Sequence, residues 1–289
     1  MIYIQPILKV NGRPMFNILE NQMLVPNLHQ VTIAAPEIAH VVQPGQFVIL
    51  RSEEDGERIP LTVSDWDVEA GTISLVYLVV GRTTQKLAAL PPGENLPDLA
   101  GPLGNAMPTE HYGSVVCVGG CYGIASLYPI ARALKASQNR VTIVVEARSA
   151  FLLYWQEKLK SVADRVIIIT RDGTKGQRGH VVGNLQQILA RLPAPADRII
   201  VNGCNYLMMR ASQESQPLNI RTMVSLNTLM IDGTGMCGVC RLTVKSSTKF
   251  ACVDGPHFDG HEVDWDELTL RRQAYLREEI QPLRSSAAQ

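Results

Sequence analysis

A group of closely spaced metal-binding residue types near the C-terminus constrains this chain more than any other feature. Two residues separate Cys237 from Cys240, four separate Asp232 from Cys237, and eleven separate Cys240 from Cys252. Plant-type ferredoxin loops hold a [2Fe–2S] cluster with four cysteine thiolates, with four residues between the first two and two between the next pair. This chain has the same spacing, with aspartate at the first position. The pattern therefore predicts a [2Fe–2S] cluster ligated by Asp232, Cys237, Cys240 and Cys252.

The same loop has other interpretations, which the spacing alone leaves open. Zinc usually requires a second Cys/His pair, and only Cys252 and the more distant His257 and His261 could supply it. Three unrelated buried cysteines are a further alternative. Asp232 could be an ordinary Asp-Gly turn residue, but a carboxylate can also ligate iron, and an oxygen donor would alter the potential of the cluster.

Composition excludes several functional classes. Lysine plus arginine and aspartate plus glutamate both number 27, so the basic excess of a nucleic-acid-binding protein is absent. No apolar run in the sequence reaches the length of a membrane span, and the N-terminus does not resemble a signal peptide. Six cysteines without an export signal also argue against a disulfide framework. We expect a cytoplasmic protein.

Turn signals and hydrophobic patterns divide the chain into four regions. Residues 1–20 are an N-terminal extension that contains a small hairpin around Asn11-Gly12. Residues 21–108 show short β-runs at 30–35, 46–50 and 72–80, which favour an antiparallel barrel. In residues 109–224, strands alternate with helices predicted at 127–136, 151–160 and 182–190, as in a parallel α/β sheet. Residues 225–289 contain the cysteine loop and a charged helix predicted at 264–279.

Three motifs in the barrel region have the residue types that a flavin site needs, in the required order. Residues 58–62 contain an arginine and a threonine, residues 81–84 form a glycine turn that opens a helix, and residues 101–104 contain two glycines. Arginine can pair with a pyrophosphate, a hydroxyl can reach the flavin ring, and a helix N-terminus can donate N–H groups to phosphate. Taken singly, each motif could be an ordinary surface charge or helix cap.

A nucleotide site is expected where the α/β region begins. Residues 118–126 form a glycine-rich turn between a strand and a helix, where a pyrophosphate could meet helix N–H groups. Glu146 ends the next strand, where an acidic residue could hold the adenosine ribose, and Arg148 could instead contact a 2′-phosphate. Both could equally be solvated residues at a strand end.

With these motifs, the chain resembles the ferredoxin–NADP reductase superfamily. Within it, the chain is similar to the small FAD and [2Fe–2S] subunits of the NADH-dependent reduced ferredoxin:NADP oxidoreductase type. The electron-transfer subunit of dihydroorotate dehydrogenase and hydrogenase flavin subunits are related to that type. The resemblance covers residues 21–279, and its most specific parts are residues 57–62, 80–84, 101–104, 232–252 and 254–256. The aspartate at the first cluster position points to the transhydrogenase type.

The resemblance implies FAD, a [2Fe–2S] cluster and NAD(H), in a flavin-binding barrel, a nucleotide-binding α/β domain and a small iron–sulfur lobe. It implies no general acid or base. The candidate cofactor-binding residues are Arg58, Pro60, Leu61, Thr62, Gly81, Thr83, Thr84, Gly101, Gly104, Gly119, Gly120, Cys121, Gly123, Glu146, Arg148 and Cys204.

Two loops depart from the family pattern on the nicotinamide side. Cys121 and Ser126 stand where the family has glycine and proline, and residues 202–205 replace a Cys-Gly-Pro motif with Asn-Gly-Cys-Asn. A cysteine side chain would narrow a site that glycine leaves open. We predict that Cys121 and Cys204 both approach the nicotinamide pocket, where they either narrow it or block it.

The predicted function is electron transfer between a nicotinamide nucleotide, FAD and a [2Fe–2S] cluster, and from there to a larger flavin or iron–sulfur subunit. The complex would be an electron-bifurcating transhydrogenase-like enzyme or one that acts with hydrogenase or ferredoxin. Two alternatives remain: an electron-conducting subunit that has lost nicotinamide binding, or a subunit of the dihydroorotate dehydrogenase type. Neither nucleic acid nor a membrane span is expected.

Overall fold

The computed structural model describes residues 9–10 and 13–274. Its first part is an antiparallel barrel sheet with the strand order β8-β3-β4-β7-β6-β5-β9. Its strands are β3 (Phe16–Val25), β4 (Leu28–Ala34), β5 (Phe47–Arg51), β6 (Ile59–Asp67), β7 (Thr72–Leu78), β8 (Asn95–Leu96) and β9 (Asp98–Leu103), with helices α1 (Pro36–Val41) and α2 (Arg82–Ala89) between them. A short hairpin precedes the barrel, made of β1 (Lys9–Val10) and β2 (Arg13–Pro14).

Apolar side chains at alternate positions of the strands fill the interior of the barrel. Val31 and Ile33 on β4 are fully buried, as are Ile73 and Leu75 on the adjacent strand β7. Residues two apart in a strand share one face, so these side chains all point into the same core. The antiparallel barrel expected from the sequence is confirmed.

The second part is a mainly parallel sheet with helices on its faces. Its parallel strands are β10 (Ser114–Gly120), β11 (Arg140–Ala147), β12 (Arg165–Thr170), β13 (Gln177–Arg178), β14 (Arg198–Asn202) and β15 (Thr222–Ser225). Its helices are α3 (Gly123–Ala136), α4 (Gln156–Lys160), α5 (Leu185–Ala190) and α6 (Asn205–Ser215), with 3₁₀ turns at Ala150–Leu152 and Gln216–Leu218. Strands β10 and β14 are neighbours at the centre of the sheet, so the loops that follow them meet at its carboxyl edge.

The third part begins with the cysteine loop and returns to the parallel sheet. It contains a hairpin of β16 (Arg241–Val244) and β17 (Ser247–Phe250), then β18 (His257–Asp259) and α7 (Trp265–Arg272). Strand β18 pairs antiparallel with β15 at the edge of the α/β sheet. The β16–β17 hairpin forms a separate small sheet, as expected for a C-terminal lobe, and β18 joins this lobe to the α/β sheet.

Several element boundaries differ from the sequence predictions. The helix expected at 151–160 is interrupted because Trp155 has a left-handed backbone with φ +51°, so only Gln156–Lys160 is α-helical. The helix expected from residue 182 starts at Leu185, after Gly183 at φ +81°. The last helix ends at Arg272, and residues 275–279 of its predicted span lie outside the described residues.

The N-terminal region also differs in detail. The predicted hairpin is confirmed by the pairing of Lys9 with Pro14, although its Asn11-Gly12 turn lies outside the described residues. Strand β3 begins at Phe16, so the end of the predicted extension already belongs to the barrel sheet. None of the helices in residues 9–10 and 13–274 combines the length and apolarity that a membrane crossing demands.

A cluster of charged and aromatic side chains fixes the barrel against the α/β part. Asp65 on β6 forms ion pairs with Arg132 of α3 at 3.1 Å and with Lys158 of α4 at 2.5 Å. The Arg132 guanidinium also lies 4.7 Å from the ring centre of Trp66, and the Lys158 ammonium 4.0 Å from that of Trp155. Partly buried cation–π contacts of this kind stabilise by about 0.5–2 kcal/mol each.

Candidate functional site

A cavity of about 690 Å³ lies where the three parts of the chain meet. The barrel contributes residues of β5, β6 and β7, the α/β part contributes the loops after β10 and β14, and the third wall is the segment between β15 and the cysteine loop. A cavity of this size between domains is typical of a site for a cofactor.

The predicted motif on β6 forms one wall of the cavity. Arg58, Pro60, Leu61 and Thr62 all line it. The Arg58 guanidinium is nearly half exposed and lies 3.3 Å from the Asp98 carboxylate, which also pairs with Arg51 at 3.2 Å. Since Asp98 keeps a second cationic partner, Arg58 can turn to another anion without leaving that carboxylate unpaired.

The turn before α2 has the form of a helix cap. The Thr84 hydroxyl accepts hydrogen bonds from the N–H groups of Val80 and Gly81, each at 3.1 Å, and donates to the Gly81 carbonyl at 2.9 Å. Thr83 is buried, and its hydroxyl donates to Glu57 at 2.9 Å. Thr84 and Glu57 line the cavity, and the first-turn N–H groups of α2 lack intrahelical acceptors, as at any helix start.

Gly101 and Gly104 lie outside the cavity lining, and barrel packing explains them. A Cβ at Gly101 would come within 2.7 Å of the Val48 side chain, and one at Gly104 within 2.7 Å of the Phe47 ring. Gly104 also has φ +73°, which strains any other residue. These glycines let strand β9 pass closely beside β5.

The glycine turn after β10 brings the backbones of two loops together. A Cβ at Gly123 would lie 2.3 Å from the Asn202 carbonyl oxygen, so no larger residue fits there without moving β14. Gly119 is buried against Leu127 of α3, and Gly120 faces Gly203 of the second loop. Gly123 and Gly203 line the cavity, which places the predicted nucleotide turn at its edge.

The four predicted cluster ligands fall into two pairs. The sulfur atoms of Cys240 and Cys252 are 3.2 Å apart and buried. Asp232 and Cys237 form the other pair, since the Asp232 carboxylate accepts from the Cys237 N–H at 2.8 Å and from the Thr234 N–H at 3.1 Å. The hydrogen bond from Thr234 has the largest effect, and together with that from Cys237 it lowers the pKa of the Asp232 carboxyl group and keeps it ionised.

Burial raises the pKa of the Cys252 thiol to about 12, and the neighbouring Cys240 thiol adds to the increase. The Cys252 thiol therefore retains its proton unless a metal displaces it. Within the described residues, no three acidic, histidine or cysteine side chains form a group suited to one metal ion. Two pairs match a binuclear centre, in which each iron takes two protein ligands.

The comparisons with known proteins agree with this geometry. Residues 227–264 match the iron-sulfur cluster binding domain of dihydroorotate dehydrogenase B. Over 93% of its length, the chain is 41% identical to the "Dihydroorotate dehydrogenase B (NAD(+)), electron transfer subunit homolog" of Thermotoga maritima, and the match covers 94% of that protein. The chain belongs to this electron transfer subunit family. A relative in Shouchella clausii with the same subunit name is 28% identical over 88% of the chain and 98% of its own length.

Solved structures with a similar fold were also found. A structure described as giving insights into flavin-based electron bifurcation, that of an NADH-dependent reduced ferredoxin-NADP oxidoreductase, matches with a TM-score of 0.89. Its identity is 39%, and the match covers 97% of this chain and all of that one. A ferredoxin NADP+ reductase of Neisseria gonorrhoeae with bound FAD and NADP matches at a TM-score of 0.60 and 18% identity, over 71% and 91% of the two chains. The superfamily resemblance inferred from the motifs is confirmed.

In this member of the electron transfer subunit family, Cys121 and Cys204 follow paired strand ends. Gly119 and Asn202 lie opposite each other on β10 and β14, and both cysteines are exposed in the loops beyond. Although Cys121 as a whole residue is exposed, partial desolvation of its thiol raises its pKa, and the Cys204 thiol adds to the effect. Cys121 directly precedes Tyr122 and Cys204 directly follows Gly203, and both Tyr122 and Gly203 line the cavity. Their approach to a bound nicotinamide stays a prediction.

The acidic residue expected at the ribose position has its carboxylate occupied by the protein itself. Glu146 is buried, accepts from the Val181 N–H at 2.7 Å and pairs with Arg171 at 3.1 Å. The His180 ring lies 3.3 Å from the same carboxylate. Arg148 is exposed. In this family member, Glu146 fixes the loop after β12 and would have to exchange partners to hold a ribose.

Sequence reasoning missed a buried polar chain behind the cavity. Its members hydrogen-bond in series across all three parts of the molecule: Gly123 O, Ser126, Asn202, Ser225, His257 and Gly45 O. The only signal was that Ser126 and Asn202 depart from the family pattern. In the structure these two departures bond to each other at 2.7 Å.

Sequence reasoning also missed Thr228, whose side chain indicates that the cavity suits a ligand with hydrogen-bonding atoms. Thr228 is buried, lines the cavity, and its hydroxyl has no hydrogen-bond partner among the described residues. A buried hydroxyl without a partner costs about 1–3 kcal/mol. A flavin, which has hydrogen-bonding atoms along one ring edge and an apolar body, fits a wall with this hydroxyl and the apolar side chains of Leu226 and Leu229.

Proposed function

We propose that this chain is an electron-transfer flavoprotein subunit that binds FAD in the cavity and a [2Fe–2S] cluster in the cysteine loop. The observation that carries the proposal is the continuity of the two sites. Residues 226–231 form one wall of the cavity, and Asp232, the first cluster ligand, is the next residue. Membership of the electron transfer subunit family supports the same conclusion.

The chain's own side chains would hold FAD at three points. Arg58 turns from Asp98 to the pyrophosphate, the N-terminus of α2 donates N–H groups to phosphate, and Thr62 and Thr228 place hydroxyls at the ring. When bound, a flavin supplies the exchange between two-electron and one-electron transfer. The protein positions the reactants and excludes water.

The cysteine loop would hold the cluster through its two preformed pairs. Asp232 and Cys237 bind one iron, and Cys240 and Cys252 bind the other. Cys237 is exposed whereas the second pair is buried, so the Asp232 side of the cluster faces solvent or a partner. That side is suited to electron exit.

A nicotinamide nucleotide is the proposed electron donor, with NAD(H) preferred. It would enter beside the loops after β10 and β14, where Gly120 and Gly123 allow close approach of backbone to phosphate, while Gly119 is buried against α3. The second candidate is an electron-conducting subunit without nicotinamide binding. Two observations favour it: Glu146 is saturated by Arg171 and Val181, and two thiols flank the entrance.

The proposed partner is a larger flavin or iron–sulfur oxidoreductase subunit, in a cytoplasmic complex of the bifurcating type or one that acts with hydrogenase or ferredoxin. The names of the relatives support this assignment, because they describe electron transfer subunits and flavin-based bifurcation.

Metal and flavin analysis of the purified chain tests the proposal. We expect about two irons and one FAD per chain. Stoichiometric zinc, or the absence of flavin after denaturation, would overturn it. Anaerobic titration with NADH then separates the two candidates, because bleaching of the flavin absorbance shows nicotinamide use, whereas a loaded flavoprotein that stays oxidised supports the electron-conducting subunit.

A further inference from the structure

The polar chain behind the cavity contains a buried imidazole that the proposed electron transfer does not use. The His257 Nδ1 atom lies 2.8 Å from the Ser225 hydroxyl, and Nε2 lies 3.1 Å from the Gly45 carbonyl oxygen. Ser225 also lies 2.7 Å from the Asn202 amide, which lies 2.7 Å from the Ser126 hydroxyl. Apart from His257, these residues line the cavity, so the imidazole stands directly behind its wall.

Counting donors shows that this chain has two protonation states. The Gly45 carbonyl can only accept, so Nε2 must carry a proton. When Ser225 donates its one proton to the Asn202 carbonyl oxygen, Nδ1 must also donate to Ser225, and His257 is then a cation.

The other state needs no movement of heavy atoms beyond an amide reversal. When the Asn202 amide is turned over, its NH₂ group donates to Ser225, and Ser225 donates to an unprotonated Nδ1. His257 is then neutral, but the reversed amide turns its oxygen toward Ser126, whose one proton cannot serve both that oxygen and the Gly123 carbonyl. The neutral state therefore leaves one contact unmade, whereas the cationic state satisfies them all. The two states differ by one proton and by the direction of the Ser225 hydroxyl at the cavity wall.

Electron transfer in this cavity creates the charge to which such a chain would respond. A hydride brings two electrons and one proton, so the cavity gains one negative charge. A new negative charge in the cavity raises the pKa of a base behind its wall, because the charge attracts the protonated form. Burial holds the pKa of His257 at about 4, against the hydrogen bond to Gly45, so the imidazole is neutral before reduction.

We propose that His257 is a redox-linked proton site, which takes up one solvent proton when the cavity gains negative charge and returns it when the electrons leave. The balance is complete: hydride plus one solvent proton adds two electrons and two protons. Passage of the two electrons to a one-electron carrier releases both protons. The inference rests on the proposed function, because it needs a redox group in the cavity.

Several titratable groups near His257 are held in one charge state. Burial raises the pKa of Tyr77 and Tyr122 well above their usual range, so both stay neutral. Asp259, on the same strand as His257, pairs with Arg221 at 3.2 Å. The charged residues on the cavity wall are Glu57, Arg58 and Arg272.

The experiment measures proton uptake on reduction instead of catalytic turnover. Holoprotein is reduced with dithionite in weak buffer between pH 5 and 7, and proton uptake per electron pair is read with an indicator dye. His257→Asn removes the ionisable ring and keeps a hydrogen-bonding group beside Ser225. His261→Asn is the matched control, since His261 also bonds a serine, Ser215 at 2.9 Å, and does not line the cavity.

We expect the wild type and His261→Asn to take up more protons per electron pair than His257→Asn, with the difference approaching about one proton near pH 5. Equal uptake in the wild type and His257→Asn, or the same loss in His261→Asn, would overturn the inference.

Redox-induced infrared difference spectra with ¹⁵N-labelled histidine need no variant. They should show one imidazole gaining a proton on reduction at pH 5–6, and a loaded wild type without this signal refutes the inference alone. A wild type that binds neither flavin nor cluster refutes the proposed function as well.

Discussion

The Asp232 carboxylate is positioned before any metal binds, because the N–H groups of Thr234 and Cys237 hold both of its oxygens. The residue therefore has the form of an Asp-Gly turn and, at the same time, the position of a ligand. Spacing predicted Asp232 as a ligand, and that role stays a prediction, whereas no pattern could predict the hydroxyl of Thr228 or the ring of His257. Their roles arise from neighbours distant in sequence, which local residue types do not encode.

Substitution of Asp232 separates its two roles. We expect Asp232→Ala to make the cluster labile, because one iron loses its oxygen ligand, and Asp232→Cys to retain a cluster with a changed potential. Iron retention in the presence of a chelator and a potentiometric titration measure the two effects. Asp254→Asn, which alters another loop carboxylate bonded to a backbone N–H, should retain the cluster. Unchanged stability and potential in Asp232→Ala would exclude ligation.

Arg58 offers a comparison with a nearby arginine. We expect Arg58→Ala to weaken FAD binding ten- to a hundredfold, or about 1.4–2.7 kcal/mol, because a charge-assisted phosphate contact is lost. Arg51→Ala removes the other partner of Asp98, so that carboxylate competes for Arg58, and FAD affinity should fall by less than in Arg58→Ala. Flavin fluorescence after dilution measures both. Similar affinities in the two variants would place the phosphate elsewhere.

At the scale of elements, periodicity located the strands and helices but not all of their ends. The apolar run at 72–80 became β7 at Thr72–Leu78. The helix expected at 151–160 failed at Trp155, where the backbone is left-handed and the ring packs edge-on against Tyr128 of α3. Such a tertiary contact overrides local helix preference and is invisible in the sequence pattern.

The two loops at the carboxyl edge of the α/β sheet give an element-scale prediction. Cys121 has φ +54°, so Cys121→Gly should relieve about 1 kcal/mol of backbone strain and open the entrance between the loops. We expect tighter NADH binding in this variant, measured by anaerobic flavin titration, and higher thermal stability. Cys117→Ala, a change at a buried cysteine within β10, serves as control. Weaker NADH binding in Cys121→Gly would show that the thiol contributes to the site.

For the whole molecule, the fold class followed from the order of β-runs and αβ alternation, but the joins between regions did not. Strand β18 returns from the iron–sulfur region to pair with β15, which places His257 against Gly45 of the barrel. Pairing between strands so distant in sequence leaves no local signal. The ion pairs of Asp65 with Arg132 and Lys158 likewise became visible only in three dimensions.

His257 also makes global stability depend on pH. Its folded-state pKa is lowered from 6.5 to about 4 by burial, so below pH 6.5 the unfolded chain binds a proton that the folded chain does not. The free energy of unfolding therefore falls as the pH drops from 6.5 to about 4, by roughly 3 kcal/mol, and this contribution then levels off. Urea unfolding at several pH values measures the slope. His257→Gln should flatten it and His261→Gln should not; an unchanged slope in His257→Gln would contradict the assignment.

The segment that forms the third wall of the cavity has a mechanical consequence. Ile231 touches the cavity and Asp232 belongs to the cysteine loop, so a peptide bond, and not the docking of two domains, sets the spacing between the two redox sites. Electron tunnelling falls steeply with distance. A group held against Ile231 and a group held by Asp232 therefore stay within tunnelling distance of each other, whichever ligand occupies the rest of the cavity.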